Sequence, residues 1–542
     1  MISRRRLLSN STIALVATSS GCAAANAQIS TSTISSISSI SSIGSTNSQA
    51  RSGPGADSVF RHGVASGDPL GDRIILWTRI EASKDAMVPV RWWIAKDEAM
   101  QQVVNGGEVT ALPWRDHCVK VDALGLEPAR RYFYQFEAGG ERSVVGRTRT
   151  LPAATVTNLK FAITSCSNYP FGYFNAYGRI AARDDLDAVL HLGDYIYEYA
   201  PGGYGDGAEF DRTPFPAREI VTLDDYRGRH AQYKTDPDLQ AAHAAHPWIT
   251  IWDDHETTNN SWRDGADNHN PDLGEGTWID RRQAAERAYF EWMPIRETLG
   301  ARGSFTYRSF RFGNLCDLIM LDTRLHGRSQ QVVAAEKKNR SLLDAPGRTL
   351  LGADQHAWLA EELRASKANS TQWRVLGQQC MLGQLLDAER HILNTDQWDG
   401  YPHSRAALLE QLRNEVINDT VVLTGDIHSA WALDITPDPF KGYDPSSGKG
   451  SLAVELVATS VTSPGPFGSG DDAIAAEKRT LKNHPHLHWT NFRHRGYLML
   501  DLNAERALAQ WWAVDTITEH SDKESRIHAM LTQTGRNHLE VA

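Results

Sequence analysis

Cysteine is scarce in this chain, five in 542 residues. The spacing contains no Cys-x-x-Cys pair, which argues against a disulfide-stapled scaffold, a zinc ribbon and a dithiol redox motif. Positive charge is also short: 56 Lys and Arg face 66 Asp and Glu, a net −10. Duplex phosphates are held largely by Lys and Arg that displace counterions, so no sequence-specific nucleic-acid binding is expected. Beyond the N-terminus no apolar run reaches about 18 residues, so no transmembrane segment is expected in the mature chain. What is present, 41% hydrophobic and 23% charged residues, is ordinary globular composition. The length suits one large core and a smaller domain.

The start reads as a processing signal. Ser3-Arg4-Arg5-Arg6-Leu7-Leu8, followed by a small and apolar run to Ala17, resembles a twin-arginine export signal, the route of proteins that cross a membrane already folded. Ala25-Asn26-Ala27 offers an A-x-A cut and so predicts a signal over residues 1–27. Gly21-Cys22 offers a competing lipoprotein-like cut that would anchor a lipid at Cys22, although Ser19 suits that box poorly. The twin-arginine export machinery is then an expected partner, and the destination is periplasmic or secreted. Residues 28–56 are rich in Ser, Thr and Ile and nearly uncharged, which predicts a disordered linker.

Residues 57–150 predict a small all-β domain of immunoglobulin or fibronectin type. Short β-like runs cover Arg73–Arg79, Val88–Ile94, His117–Val121 and Tyr132–Phe136, with Asn105-Gly106-Gly107 read as a turn. Over 151–520 the texture changes. Apolar strands at 159–164, 186–192, 315–322, 373–378 and 420–424 alternate with helical patterns at 180–186, 278–297, 354–367 and 404–418. That alternation argues for an α/β domain of stacked sheets with outer helices. Residues 521–542 read as a C-terminal tail.

Four polar clusters follow apolar runs: Thr164-Ser165-Cys166, the stretch from His191 through Gly193-Asp194 to Tyr197 and Tyr199, the stretch Trp252 to Asn260, and Thr424-Gly425-Asp426-Ile427-His428. Each supplies Asp, His, Cys, Tyr or Asn donors. Buried carboxylates brought together must be protonated, paired or bound to a cation. Two metals about 3.5–4 Å apart would orient a hydroxide and polarise a phosphoryl oxygen, the two-metal logic of phosphate-ester hydrolysis. Ser165 and Ser167 have neither a Gly-x-Ser-x-Gly elbow nor an identifiable base, so a serine nucleophile is not expected.

These clusters, in this order and with Ser165-Cys166-Ser167-Asn168-Tyr169 and Gly172-Tyr173-Phe174, resemble the PhoD-like alkaline phosphatase and phosphodiesterase family of the calcineurin-like metallophosphoesterase superfamily. The likeness runs from about Phe60 to Trp512. It implies a double-sheet sandwich flanked by helices behind the small β domain. By the same resemblance Asp194 bridges two metal positions, and Cys166, Tyr197 and His428 hold one trivalent iron. Thiolate and phenolate suit a charge-dense ferric ion better than calcium or magnesium. Asp254, Asn260 and Asp426 would supply oxygens to one or two calcium ions, and His255 would support catalysis beside Asp194 and Asp254. The implied activity is hydrolysis of phosphate monoesters or diesters by a metal-bound hydroxide, with phospholipid head groups and a phospholipase D-type reaction as an alternative. A non-catalytic surface or carbohydrate-binding protein is the alternative of another class, suggested by the β-rich first module and 16 Trp.

Arg263, Arg281, Arg282 and Arg324 are candidates for the cation that faces phosphate, with Arg324 better explained as an ion-pair partner of Asp322. The loop 200–216 and the stretch 262–275 are candidate rims of the site, the second also a candidate calcium loop. His484, His486 and His488 read as an exposed loop. Cys316 and Cys380 fit free buried thiols or a bond equally well.

Overall fold

The structure, a computed structural model, describes residues 55, 57–297, 299–300 and 303–542. The signal expected over 1–27 and, apart from Gly55, the linker over 28–56 lie outside them. Two sheets face each other across an apolar interior. The first has ten strands in the order Glu540–Val541, Glu524–Gln533, Arg506–Val514, Gly496–Asn503, Asn158–Thr164, Ala188–His191, Pro247–Thr250, Val64–Gly67, Arg73–Arg79 and Cys118–Leu124. The second has seven: Arg308–Phe312, Cys316–Met320, Trp373–Gln378, Thr420–Thr424, Ala453–Val457, Ala430–Ile435 and Leu487–Asn491. Phe161, Leu190 and Ile249 from one inner face meet Leu318, Val375 and Leu423 from the other.

The central strands of both sheets are parallel. Parallel neighbours need crossovers, and helices in those crossovers cover the outer faces. Tyr226, Leu239 and Tyr289 pack on the first sheet, and Leu359, Leu363, Leu408 and Leu412 on the second. Side-chain caps fix the helix starts by satisfying N–H groups that have no partner within the helix. Thr222 and Asp225 form a reciprocal capping box on Leu223–Tyr233, Asp236 caps Pro237–Ala245, and Thr277 caps Trp278–Trp292.

Hydrophobic periodicity located the strands Trp373–Gln378 and Thr420–Thr424 and the helix Gly352–Ala368 closely. The helix expected over 180–186 is instead Asn175–Ala181, because Arg183-Asp184-Asp185 offers no apolar stripe to bury. Asn105-Gly106-Gly107 is not a turn. It lies inside the strand Val103–Ala111, where Gly106 and Gly107 oppose Trp93 and Trp92. A Cβ at Gly106 would sit 2.8 Å from the Trp92 carbonyl oxygen, and one at Gly107 3.1 Å from Trp92 Nε1, so these glycines make room for the tryptophans.

Residues 57–150 are not detached from the rest of the described chain. The strands Val88–Ala95, Val103–Ala111, Arg131–Ala138, Glu141–Arg142 and Gly146–Arg149 form a five-stranded sheet of their own. Val64–Gly67 instead pairs in parallel with Pro247–Thr250, and Arg73–Arg79 and Cys118–Leu124 extend that ladder. A boundary at residue 150 therefore crosses a continuous sheet. The segment 521–542, expected as a tail, contributes the strands Glu524–Gln533 and Glu540–Val541 and buries Met530 and Leu539 in the core. Among the described residues no helix is long and apolar enough to cross a membrane.

Candidate metal centre

Loops leave the C-terminal ends of four strands, Asn158–Thr164, Ala188–His191, Pro247–Thr250 and Thr420–Thr424, and carry the four clusters to one place. Two glycines permit this approach. A Cβ on Gly193, which has φ +101°, would lie 2.3 Å from Asp253 Cβ, and one on Gly425 would lie 2.9 Å from Ser165 Cβ. Cys166, Asp194, Asn260, Asp426 and His428 all adopt positive φ, between 52° and 63°. Left-handed backbone costs a non-glycine residue about 1–2 kcal/mol, so five such residues at one location mark a conformation imposed by the site.

The ligating atoms fall into three overlapping groups, each with its members within 4.8 Å of one another: Cys166 with Asp194 and His428, Asp194 with Asp254 and His255, and Asp253 with Asp254 and Asp426. Asp194 is shared by the first two groups and Asp254 by the last two. Tyr197 belongs with the first, its hydroxyl donating to Asp194 Oδ2 at 2.9 Å and lying 3.1 Å from His428 Nε2. Tyr204, from the loop 200–216, lies 3.2 Å from His428 Nδ1, so that loop reaches the site as expected of a rim. Asn260 contributes its backbone N–H to Asp254 Oδ2 at 2.6 Å, while its side-chain amide donates to Asp267 at 2.9 Å.

Arg324 is fully buried and its guanidinium meets four carboxylates. Nε donates to Asp253, Nη1 to Asp396 at 2.9 Å and Nη2 to Asp426 at 2.8 Å, with Asp254 at 3.6 Å. The expected pairing with Asp322 does not form. Asp322 Oδ1 accepts the backbone N–H groups of Arg324 and Leu325, and its Oδ2 the Trp252 indole. Arg263 pairs with Asp264, Arg281 with Glu219 and Glu275, and Arg282 with Glu286.

The donor set suits cations. Asp194 Oδ1, Asp253 Oδ2 and Asp254 Oδ1 are buried with no hydrogen-bond partner, and an ionised oxygen left so is costly. Burial pushes the Asp253 carboxyl well up and Asp426 to about 7, despite the opposing Arg324. Burial also works against ionisation of Asp254, but Arg324 and His255 outweigh it and bring that carboxyl to about 2. Burial, then Asp194, holds the Cys166 thiol and the Tyr197 phenol well above their ordinary values. Four carboxylates meet Arg324, one of them, Asp396, shared with Arg328, and with Asp194 beside them the carboxylates outnumber the buried arginines, an excess that a bound metal would balance.

Several partners lie outside the expected set. Glu198 Oε2 is 2.7 Å from His255 Nδ1, and Glu256 accepts the backbone N–H groups of Asp194, Tyr195 and Asp253, which ties two of the four loops together. Ser463 donates to the Tyr197 hydroxyl at 2.7 Å. Asp396 sits in an irregular stretch rather than at a strand end, so the rule that selects polar residues after apolar runs passes over it. Among the described residues the stretch 262–275 contributes to none of the cation-binding groups.

His484 and His486 are buried rather than in an exposed loop, and His488 lies on the strand Leu487–Asn491. His538 Nδ1 is hydrogen-bonded to Asp434 at 2.6 Å, and His488 Nε2 lies 3.2 Å from the other oxygen of that carboxylate. Cys118, Cys166, Cys316 and Cys380 are all buried free thiols.

A two-sheet α/β sandwich with carboxylate, imidazole and thiol donors gathered at its strand ends defines a metallophosphoesterase. The family profile described as PhoD-like phosphatase matches residues 161–511, and the profile for the N-terminal domain of PhoD-like phosphatases matches 45–152. The chain belongs to the PhoD-like phosphatase family. It is 40% identical over 476 residues to alkaline phosphatase D of Bacillus subtilis (strain 168), covering 85% of this chain and 78% of that one. It superposes on a solved structure of PhoD with a TM-score of 0.80 and 36% identity, covering 90% of this chain and 93% of the other.

Proposed function

We propose that the protein is a metal-dependent hydrolase of phosphate esters, acting on monoesters, diesters or both as an alkaline phosphatase of the D type. The observation that carries this reading is the overlap of three cation-binding groups through Asp194 and Asp254. Shared carboxylates of this kind hold neighbouring metals at the separation that in-line phosphoryl displacement uses.

Cys166, Tyr197, Asp194 and His428 are proposed to hold one ferric ion, and Asp194, Asp254, Asn260 and Asp426 one or two calcium ions. Bound there, the metals supply Lewis acidity toward a phosphoryl oxygen and water. His255, tied at Nδ1 by Glu198, keeps Nε2 available to a reacting oxygen. Burial opposes a proton on this ring, and Asp254, Glu198 and Asp194 favour one in the metal-free chain; cations held by Asp194 and Asp254 would cancel that pull and leave Nε2 free to ligate or to face a reacting oxygen. Arg324 keeps Asp253, Asp396 and Asp426 in fixed orientation rather than meeting substrate, because its donors are already engaged.

The basic start of the sequence supports export by the twin-arginine route with a periplasmic or secreted destination. The five-stranded sheet of the N-terminal domain, with its buried Trp92, Tyr134 and Phe136, supports an immunoglobulin-like module. The test is hydrolysis of nitrophenyl phosphate and of bis(nitrophenyl) phosphate by protein prepared without chelator, together with its metal content. Release of nitrophenol that fails in Asp194→Asn is expected, as is a visible absorption band from thiolate and phenolate bound to iron. Full activity after complete metal removal would refute the reading.

A further inference from the structure

We infer that Arg495 is the side chain that binds the non-bridging phosphoryl oxygens of the substrate, and that it makes the enzyme favour monoesters over diesters. This inference rests on the phosphate-ester reading above and assigns that site's substrate class.

Arg495 immediately precedes the strand Gly496–Asn503, and its backbone is fixed on both sides. Gly496 N donates to Ser460 O at 3.0 Å, Thr459 Oγ1 to His494 O at 2.6 Å, and Val514 N to Arg495 O at 3.0 Å. The segment that holds it also holds the metal centre. Val461 N donates to Ser165 O at 3.0 Å, Ser463 N to Cys166 O at 3.3 Å, and Ser463 Oγ to Tyr197 Oη. The guanidinium and the backbone of His428 both border Gly465: the point where a Cβ on that glycine would stand is 3.0 Å from Arg495 Nη2 and 3.4 Å from the His428 carbonyl oxygen.

Its donors are what distinguish it. Arg324 faces four carboxylates. Arg229, Arg374 and Arg405 pair with no carboxylate but each donate to three or more backbone carbonyls. Arg495 makes one hydrogen bond, Nη1 to His494 O at 2.9 Å, and among the described residues it pairs with no carboxylate. A guanidinium has five N–H donors in a planar fork that matches two phosphoryl oxygens. A guanidinium keeps its charge throughout the neutral and alkaline range, and Tyr204 and Cys166 stand near enough to act on it electrostatically.

A monoester carries nearly two negative charges above its second pKa of about 6 and a diester one. A fixed cation on the non-bridging oxygens therefore favours the monoester.

The test compares wild type, Arg495→Gln and Arg495→Lys on the two nitrophenyl esters, with inorganic phosphate as a competitive inhibitor and with metal content and Tm recorded. In Arg495→Gln, kcat/KM for the monoester is expected to fall about 100-fold or more, and for the diester less than about 5-fold, the scale of losing a charged donor to a phosphoryl group. The phosphate inhibition constant should rise by a similar factor at unchanged metal content. Equal losses on both esters, or unchanged inhibition by phosphate, would overturn the inference. If Arg495→Gln does not fold, Arg495→Lys decides. It keeps the charge but not the fork, so phosphate should bind about 10-fold more weakly, and wild-type phosphate affinity in this variant counts against the role. If wild type cleaves neither ester the functional reading falls by itself, and calorimetric binding of inorganic phosphate to the same variants still judges Arg495.

Discussion

Glu198 Oε2 lies 2.7 Å from His255 Nδ1, while its other oxygen accepts from Asn259 N at 2.7 Å and Thr258 Oγ1 at 3.1 Å. The carboxylate thus sets the orientation of a ring that faces Asp194 and Asp254, and it is itself held by the loop that carries that ring. Glu198→Gln preserves the shape and removes the charge. It is expected to lower kcat/KM about 10–100-fold, the usual scale for an orienting partner of a metal-site histidine, with the fold intact by circular dichroism. Unchanged kcat/KM would dismiss the orienting role.

Gly193 is a position where an added methyl group would collide with the loop that carries Asp253 and Asp254. Its φ is +101° and a Cβ would overlap Asp253 Cβ at 2.3 Å, in a place where neither backbone can withdraw without moving the site. Gly193→Ala is expected to destabilise by about 3 kcal/mol or more, combining left-handed strain with overpacking. Gly125→Ala also has positive φ but meets nothing within 4 Å, so it should cost only about 1 kcal/mol. Denaturant midpoints of the two variants separate steric closure of the site from backbone strain alone. Similar midpoints would show that the contact between the loops is not needed.

The candidate site residues are legible because each sits at the end of a short apolar run, and buried β-strands announce themselves by composition. Cys166, Asp194, Asp254 and His428, which the structure brings together, stand out that way, and Trp373–Gln378 and Thr420–Thr424 by periodicity. What escaped depends on pairing between distant segments. Asp396 follows no strand, Arg495 precedes one, and nothing near either tells that Arg324 has saturated the first while the second lacks a carboxylate. The mistaken turn at Asn105-Gly106-Gly107 has the same origin, since those glycines serve Trp92 and Trp93 on a neighbouring strand. The last strands read as a tail because a strand at or near a sheet edge is only partly buried, and its pattern is correspondingly weak.

Metal uptake should release protons. Burial holds both the Cys166 thiol and the Tyr197 phenol well above their ordinary pKa values, so both carry protons at neutral pH in the metal-free chain. Binding as thiolate and phenolate expels them, and affinity then climbs about tenfold per pH unit for each proton lost. Calorimetry of the metal-stripped protein in buffers of different ionisation enthalpy measures the number released. Cys166→Ser is expected to release one fewer and to bind iron more weakly. A proton count unaffected by Cys166→Ser would remove the thiol from the site.

Acid should unfold this protein early, for reasons away from the metal centre. Burial lowers His62 to about 2, His191, His230 and His486 to about 3 and His246 to about 4, and it lowers His243 well below the ordinary value. As pH falls below about 6.5, the unfolded chain takes up protons that these rings refuse, so stability is lost on acidification. At pH about 5.5 each ring accounts for about 1.4 kcal/mol. Six together reach about 8 kcal/mol, comparable with the whole stability of a typical domain, about 5–15 kcal/mol. Carboxyls that burial raises act with the opposite sign in the same window, Asp399 and Glu455 to about 6, Glu219 and Asp426 to about 7 and Glu256 to about 8, so the net loss is smaller than the sum over the six rings. Tm is therefore expected to fall between about pH 6.5 and 5, by less than the histidines alone would give. His230 stacks on Trp292 with neither ring nitrogen hydrogen-bonded, so His230→Phe should keep the packing and flatten the slope by about one sixth of the histidine contribution. A Tm that is level across this range would show that the buried rings are protonated within the fold.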